Sequence, residues 1–288
     1  MKSKVKRGLQ ERVVLTIAFV LFAIYAVSLI YPFIWTFLNS LKSNKEFFDD
    51  GLSLPQKWLF VNYKDTLTTK MIYNDTNLFG MFGNSILLTV LCTIAPMVSS
   101  TLAAYATARF KRFKICKIIF NIALLVQIVP TVGSLTATYK LVHDLNMDNN
   151  YATIWLLSAG GFSFTYLMLY GCFSGISQTY SEAAKIDGAG NFRVFLQIIL
   201  PQAKPVLVSL TILAFIGSWN DYLTPFLYMD DYPTVSLRLY ELQSQMIYAS
   251  EMPSLFCGII LSLVPIVIVF SVFQGTIMEN TSAGGIKG

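Results

Sequence analysis

Two short stretches of this 288-residue chain hold most of the side chains suited to recognition. In "YSEAAKIDGAGNFRVFLQIILPQAKP", residues 180–205, charged and polar groups interrupt a sequence that is otherwise mostly apolar. In "WNDY", Trp219 and Tyr222 offer aromatic faces beside the amide of Asn220 and the carboxylate of Asp221. That combination stacks on a sugar ring and hydrogen-bonds its hydroxyls, and the same aromatics also suit an interfacial belt at a membrane surface. Gln127 stands in an apolar run, where an amide either lines a path or ties neighbouring helices together.

Catalytic chemistry has little to work with. The sequence holds no HExxH, no nucleophile beside a base, and one histidine, His143, which argues against an enzyme. Cys92, Cys116, Cys172 and Cys257 are scattered singly, without metal-binding spacing, so no metal site is expected. There is also no GxxxxGK[ST] loop with which to hold a nucleotide.

The elements that must carry these residues are membrane helices. Hydrophobic residues make up 55% of the chain and charged ones 13%, a balance that excludes a soluble globule. Apolar runs long enough for a bilayer core fall at 13–38, 84–107, 115–139, 152–174, 205–228 and 254–276, predicting an all-α membrane protein with six transmembrane helices. The first run is longer than a cleavable signal core and reads as a retained anchor. Prolines at 32, 96, 130, 225 and 265 and the Gly160-Gly161 pair predict kinks.

Counted on alternate sides of six spans, one side carries 14 of the 21 Lys and Arg residues. The positive-inside rule places that side, with both termini and the 180s island, in the cytoplasm. The net charge of +5 is thereby a matter of topology, and nucleic acid is not implied. The organisation predicted is a basic N-terminus 1–12, a first span 13–38, an external loop 39–83, a core 84–277 containing a cytoplasmic loop 178–204, and a tail 278–288. Asp221 is the one ionisable residue inside a predicted span, close to its outer boundary. An ion-coupled carrier would place acids or histidines nearer the midplane.

Within the island, "TYSE" reads as a capping box in which Thr179 caps a helix starting near Tyr180 and Glu182 reaches back. Gly188 or Gly190 should end that helix in the left-handed conformation. A second helix carries Phe192, Phe195, Leu196 and Ile199 on one apolar face, and Pro201 and Pro205 punctuate the approach to the fifth span. Periodicity alone leaves two uses for this pair of amphipathic helices: lying in the headgroups or docking into a groove of another protein.

The spacing Glu182-Ala183-Ala184, then Gly188, then Ile198-x-Leu200-Pro201 resembles the EAA loop of ABC importer permeases. "STLAAYATARFKRFK" at 100–114 and "WNDYLTPF" at 219–226 are similar to segments of the carbohydrate subfamily, and "SAGGIKG" at 282–288 to the tail of maltose-type, MalG-like subunits. The resemblance covers essentially the whole chain and implies a type I ABC importer permease bundle with a cytoplasmic EAA coupling helix.

Carried onto this sequence, the resemblance implies that Glu182, Ala183, Ala184, Lys185, Asp187, Gly188 and Pro201 form the element docked by the ATPase. It implies that Gly284, Gly285, Ile286, Lys287 and Gly288 make a second ATPase contact. Gln127, Trp219, Asn220, Asp221 and Tyr222 remain candidates for the substrate path or outer gate. The implied partners are a second, MalF-like permease, two copies of a cytoplasmic ATPase, an extracellular or periplasmic sugar-binding protein and the bilayer of a bacterial cytoplasmic membrane. The chain itself binds no cofactor in this picture; ATP and Mg belong to the ATPase subunits. The implied load is a di- or oligosaccharide, the rivals being a permease for a non-sugar solute and an ion-coupled secondary transporter.

Overall fold

The computed structural model describes residues 8–71, 74–128, 132–160, 162–245 and 251–283, and among them every regular element is helical. In chain order these are α1 (Leu9–Ser40), α2 (Asn44–Asp49), α3 (Val61–Asp65, continued by a π turn Thr66–Lys70), α4 (Leu78–Arg109), α5 (Lys114–Ile128), α6 (Val132–Asp144), α7 (Tyr151–Ser158) and α8 (Phe164–Gly175). They are followed by α9 (Gln178–Ile186), α10 (Asn191–Val194), a π turn Phe195–Ile199, α11 (Leu200–Trp219), α12 (Leu223–Tyr228), α13 (Val235–Gln245) and α14 (Met252–Ala283).

Among the described residues, four stretches are long and apolar enough to cross a bilayer: 10–40, 78–109, 191–219 and 252–275. Helix α5 and residues 133–144, inclined at 104° to each other, make a fifth if they form one span. The predicted span 152–174 is divided instead into α7, of 8 residues, and α8, of 12, around Ala159–Ser163. At 1.5 Å per residue these reach only about 12 and 18 Å, too short for either to cross alone. The predicted kinks at Pro32, Pro96 and Pro265 do not end α1, α4 or α14, while Pro130 and Gly161 lie outside the described residues.

The chain divides into two compact units. The first comprises residues up to Met71 together with 242–261. Most of α1 turns exposed aliphatic and aromatic side chains outward on all sides, as a helix in lipid does. Its end and the residues just past it are the reverse: Asn39, Ser40, Leu41 and Lys42 are all at most 1% exposed. Buried polar groups need partners. Asn62 Nδ2 donates to the Ser40 and Lys42 carbonyls, both at 2.9 Å, Lys42 Nζ donates to the Asp50 carbonyl at 2.8 Å, and the Ser40 and Tyr63 hydroxyls meet at 2.7 Å. Trp35, Phe47 and Phe256 pack edge to face beside this knot. Residues 39–71, expected as a loop, are thus a folded element containing α2 and α3.

The second unit, 72–241 with 262–288, is organised around α4, which lies against α7, α8 and α11. Asn77 starts α4 by accepting from the Gly80 amide at 2.9 Å, six residues ahead of the predicted span. The lower half of α4 buries Ser100, Thr101, Ala104, Thr107 and Ala108, and small residues at this spacing let neighbouring helices approach closely. Tyr166, Leu169 and Phe173 of α8 fill the facing surface, and Val194, Phe195, Ile199, Ala203 and Leu210 of the 191–219 run complete the core. Thr107 Oγ1 meets the buried Tyr166 hydroxyl at 2.9 Å.

Candidate functional site

The 180s island is built outward from the end of α8. The Ile176 carbonyl, just past α8, accepts from Arg109 Nη1 at 2.9 Å, so the last residue of α4 holds the joint at which α9 begins. A cation near a helix C-terminus is favourably placed against the exposed carbonyls. Ser177 then caps α9, its Oγ accepting from the Thr179 amide at 3.3 Å and lying 3.0 Å from Thr179 Oγ1. The predicted capping box is therefore displaced: Thr179 is already inside the helix, and Glu182 is exposed instead of reaching back to a cap.

Helix α9 ends as the glycine expectation required, at Gly188 with φ +83°. The Gly188 amide donates to the Lys185 carbonyl at 3.0 Å, and the Ala189 amide to the Ala184 carbonyl at 2.9 Å. These are the two bonds of a Schellman closure. Gly190 has an ordinary negative φ and precedes α10. Ala184 is buried against the unit's core, whereas Tyr180, Glu182, Ala183, Lys185, Ile186, Asp187 and Gly188 are exposed. Ile186, at 87% exposed, is an aliphatic side chain with almost no cover. The sequence reading did not single it out, although an isoleucine on the far side of a short helix from its one buried alanine was the available signal.

The second island helix is not a separate amphipathic element. Residues 191–199 run straight into α11, so that 191–219 is one candidate span. Val194, Phe195 and Ile199 are buried, but Phe192 is 71% and Leu196 42% exposed, so the four apolar side chains of the predicted face do not share one environment. The π turn at 195–199 explains the shift. The Leu200 amide reaches back five residues to the Phe195 carbonyl, changing the helical phase ahead of Pro201. Such a widened turn is a common answer to a proline within a helix. Arg193 Nε donates to Gln197 Oε1 at 2.9 Å.

Between α9 and the α4–α5 turn lies a cleft of about 280 Å³, bordered by Arg109, Lys111, Arg112, Ser181, Glu182 and Lys185 among others. Lys111 and Arg112 rest over the rings of Tyr170 and Phe113. Arg109 Nε and Nη2 and Ser181 Oγ are buried without a hydrogen-bond partner. Neither Arg109 nor Ser181 stood out in the sequence as part of the island.

The WNDY stretch lies where α11 stops. Asp221 is outside the helix, which ends at Trp219, where the predicted run continued to 228. Its Oδ1 accepts from the Leu223 and Thr224 amides at 2.9 and 3.1 Å, tying down the first turn of α12. Trp219 is 3% exposed, packs beside Phe82 and Phe215, and donates Nε1–H to the Ser262 carbonyl at 3.0 Å. Asn220 Nδ2 returns to the Ile216 carbonyl at 2.8 Å, and Tyr222 stacks on Tyr240 at 4.1 Å. Gln127 Nε2 donates to the Phe162 carbonyl at 2.7 Å, tying α5 to the connection between α7 and α8. Gly284, Gly285, Ile286, Lys287 and Gly288 lie outside the described residues. Among the described residues no group of three or more His, Cys, Asp and Glu side chains could hold a metal.

Residues 99–277 match the family described as "Binding-protein-dependent transport system inner membrane component". The chain is 30% identical over 276 residues to the diacetylchitobiose uptake system permease protein NgcG of Streptomyces coelicolor, covering 94% of this chain and 88% of that one. It is 31% identical over 272 residues to the maltodextrin transport system permease protein MalD of Streptococcus pneumoniae, covering 91% and 92%. A solved chain of a bacterial ABC transporter involved in the import of the acidic polysaccharide alginate superposes with a TM-score of 0.79 at 22% identity, over 94% of this chain and 99% of that one.

Proposed function

This chain belongs to the family of binding-protein-dependent transport system inner membrane components, a multi-pass membrane protein, and we propose that it is the permease subunit of an ABC importer for a di- or oligosaccharide. The named loads of its relatives, diacetylchitobiose and maltodextrin, support the substrate class. The observation that carries the reading is α9: a nine-residue helix anchored at both ends that presents Glu182, Ala183, Ile186 and Asp187 to solvent.

Two copies of a cytoplasmic ATPase drive the cycle in this reading, one of them receiving α9 in a cleft. The small Ala183 and the bare Gly188 keep the element slim, Glu182, Lys185 and Asp187 supply polar contacts, and Ile186 buries its exposed face in the partner. Because Asn191–Trp219 is continuous, a push on α9 reaches the bundle through the Gly188 closure and the turn ahead of Pro201. The residues of the 284–288 tail add a second ATPase contact. The bundle has six spans, with α7 and α8 together forming the fourth, and both termini face the cytoplasm by the charge distribution along the sequence. A second, MalF-like permease completes the pathway, and an external sugar-binding protein delivers the load.

The WNDY cluster serves this reading best as a rigid outer gate, since the polar groups of Trp219, Asn220 and Asp221 are already engaged within the chain. Moving Asp221 out of the span leaves an ion-coupled carrier with still less to work with.

Co-purification from membranes, with components identified by mass, tests the assembly. A second permease, two ATPase copies and sugar-stimulated hydrolysis are expected. Stimulation only by a non-sugar solute would move the load to another class, and uptake that survives ATP depletion but collapses with the ion gradient would overturn the reading.

A further inference from the structure

We propose that the cleft between α9 and the α4–α5 turn is a phosphate site, which the headgroup of an anionic phospholipid fills. The Nε and Nη2 nitrogens of Arg109 and the hydroxyl of Ser181, two residues that border this cleft, are buried without partners. Buried donors left unsatisfied are costly and rare, and a phosphate has the several strong acceptor oxygens that would answer all three. Arg109 offers them in a fork suited to phosphate geometry. Lys111, Arg112 and Lys185 border the same cleft, and among the described residues Glu182 is its one acidic group, is exposed, and forms no ion pair with any of the four cations.

The volume of about 280 Å³ is roughly nine times the share of one water molecule in the liquid, enough for a phosphate with the first atoms of its ester. The source follows from position. The cleft opens at the turn between one apolar span and α5, whose Ile115 and Ile118 are 59% and 52% exposed, with Phe113 48% exposed beside them. Basic pockets between membrane helices at headgroup depth select anionic lipid. The unpaired atoms are shielded from water, so a phosphate reaches them only as side chains of α9 and Arg109 move, which links occupancy to the position of α9. That link rests on α9 being the docking element; the site itself does not.

The test is native mass spectrometry of the full chain with its partners, released from nanodiscs containing equal phosphatidylglycerol and phosphatidylcholine. A parallel titration with inorganic phosphate follows amide exchange over 178–186. Selective retention of phosphatidylglycerol is expected, lost in Arg109→Gln and weakened about fivefold for each exposed cation removed in Arg112→Gln and Lys111→Gln. Protection by inorganic phosphate without lipid selectivity would keep the site and make its ligand soluble. Equal retention of both lipids, with no protection by phosphate and no difference between wild type and the exposed-site variants, would overturn the proposal whether or not the ATPase binds.

Discussion

Arg109 Nη1 donates to the Ile176 carbonyl at 2.9 Å, joining residues 67 apart in sequence so that the end of α4 holds the start of α9. The rest of the guanidinium is buried without a partner, so the hydrogen bond to Ile176 is its anchor in the described structure. The position of α9 therefore depends on a residue outside the island that α9 belongs to.

Arg109→Ala should remove that hold at a cost of about 1.5–3 kcal/mol, the range for a hydrogen bond from a charged donor. The expected signs are faster amide exchange over 176–186 and reduced uptake, with chain abundance largely kept. Arg109→Lys retains the charge but not the fork and should recover uptake only in part. Unchanged exchange in Arg109→Ala would mean that Ser177 and the core contact of Ala184 suffice to place α9.

Gly188 has room for a Cβ, with nothing within 4 Å, but its φ is +83°. The cost of Gly188→Ala is consequently conformational, about 1–2 kcal/mol, and Gly188→Asn should cost less because asparagine tolerates this region. Gly188→Pro is worse than either: it removes the amide that bonds Lys185 and forces φ negative. Uptake should fall in the order Asn, Ala, Pro while each variant still inserts. Equal activity of the three would show that the Schellman closure carries no signal.

Ile186 offers a cleaner probe of docking, because a side chain 87% exposed contributes almost nothing to the isolated fold. Burying it in a partner is worth about 1.5–3 kcal/mol, so Ile186→Asp should weaken ATPase co-purification by tenfold or more without altering the melting of the chain alone. Glu182→Lys should likewise insert normally but uncouple hydrolysis from uptake. Wild-type co-purification of Ile186→Asp would turn this face away from the partner.

These cases also mark what was legible in sequence. The left-handed end of α9 at Gly188, one of the two glycines the sequence offered, and the long apolar helices were readable, because glycine and apolar run length act within a few residues. The cap was misplaced from Ser177 to Thr179, since both are good caps and the choice was made by where α8 ends. Phe192 and Leu196 were placed on one apolar face with Phe195 and Ile199 on a 3.6-residue period that the π turn at 195–199 resets. The span expected at 152–174 hid its break because apolar composition is shared by one long helix and two short ones. Arg109 and Ser181 could not be connected at all, being 72 positions apart in sequence and brought to one cleft only by the packing of α4, α8 and α9.

Thr107 Oγ1 lies 2.8 Å from the Ala103 carbonyl, 3.2 Å from the Ala104 carbonyl and 2.9 Å from the Tyr166 hydroxyl. A threonine hydroxyl has one proton, and the backbone carbonyls take it, so the Tyr166 hydroxyl must be the donor toward Thr107. The two partners are thus unequal. Tyr166→Phe removes a donor and leaves the Thr107 proton satisfied, at a cost of about 0.5–1.5 kcal/mol. Thr107→Val strands a hydroxyl on a residue that is fully buried, costing about 1–3 kcal/mol. The double variant should be less destabilised than the sum of the two, because the stranded donor is gone. Thermal unfolding of the four proteins in one detergent measures the cycle, and a larger loss from Tyr166→Phe than from Thr107→Val would reverse the assigned direction of the bond.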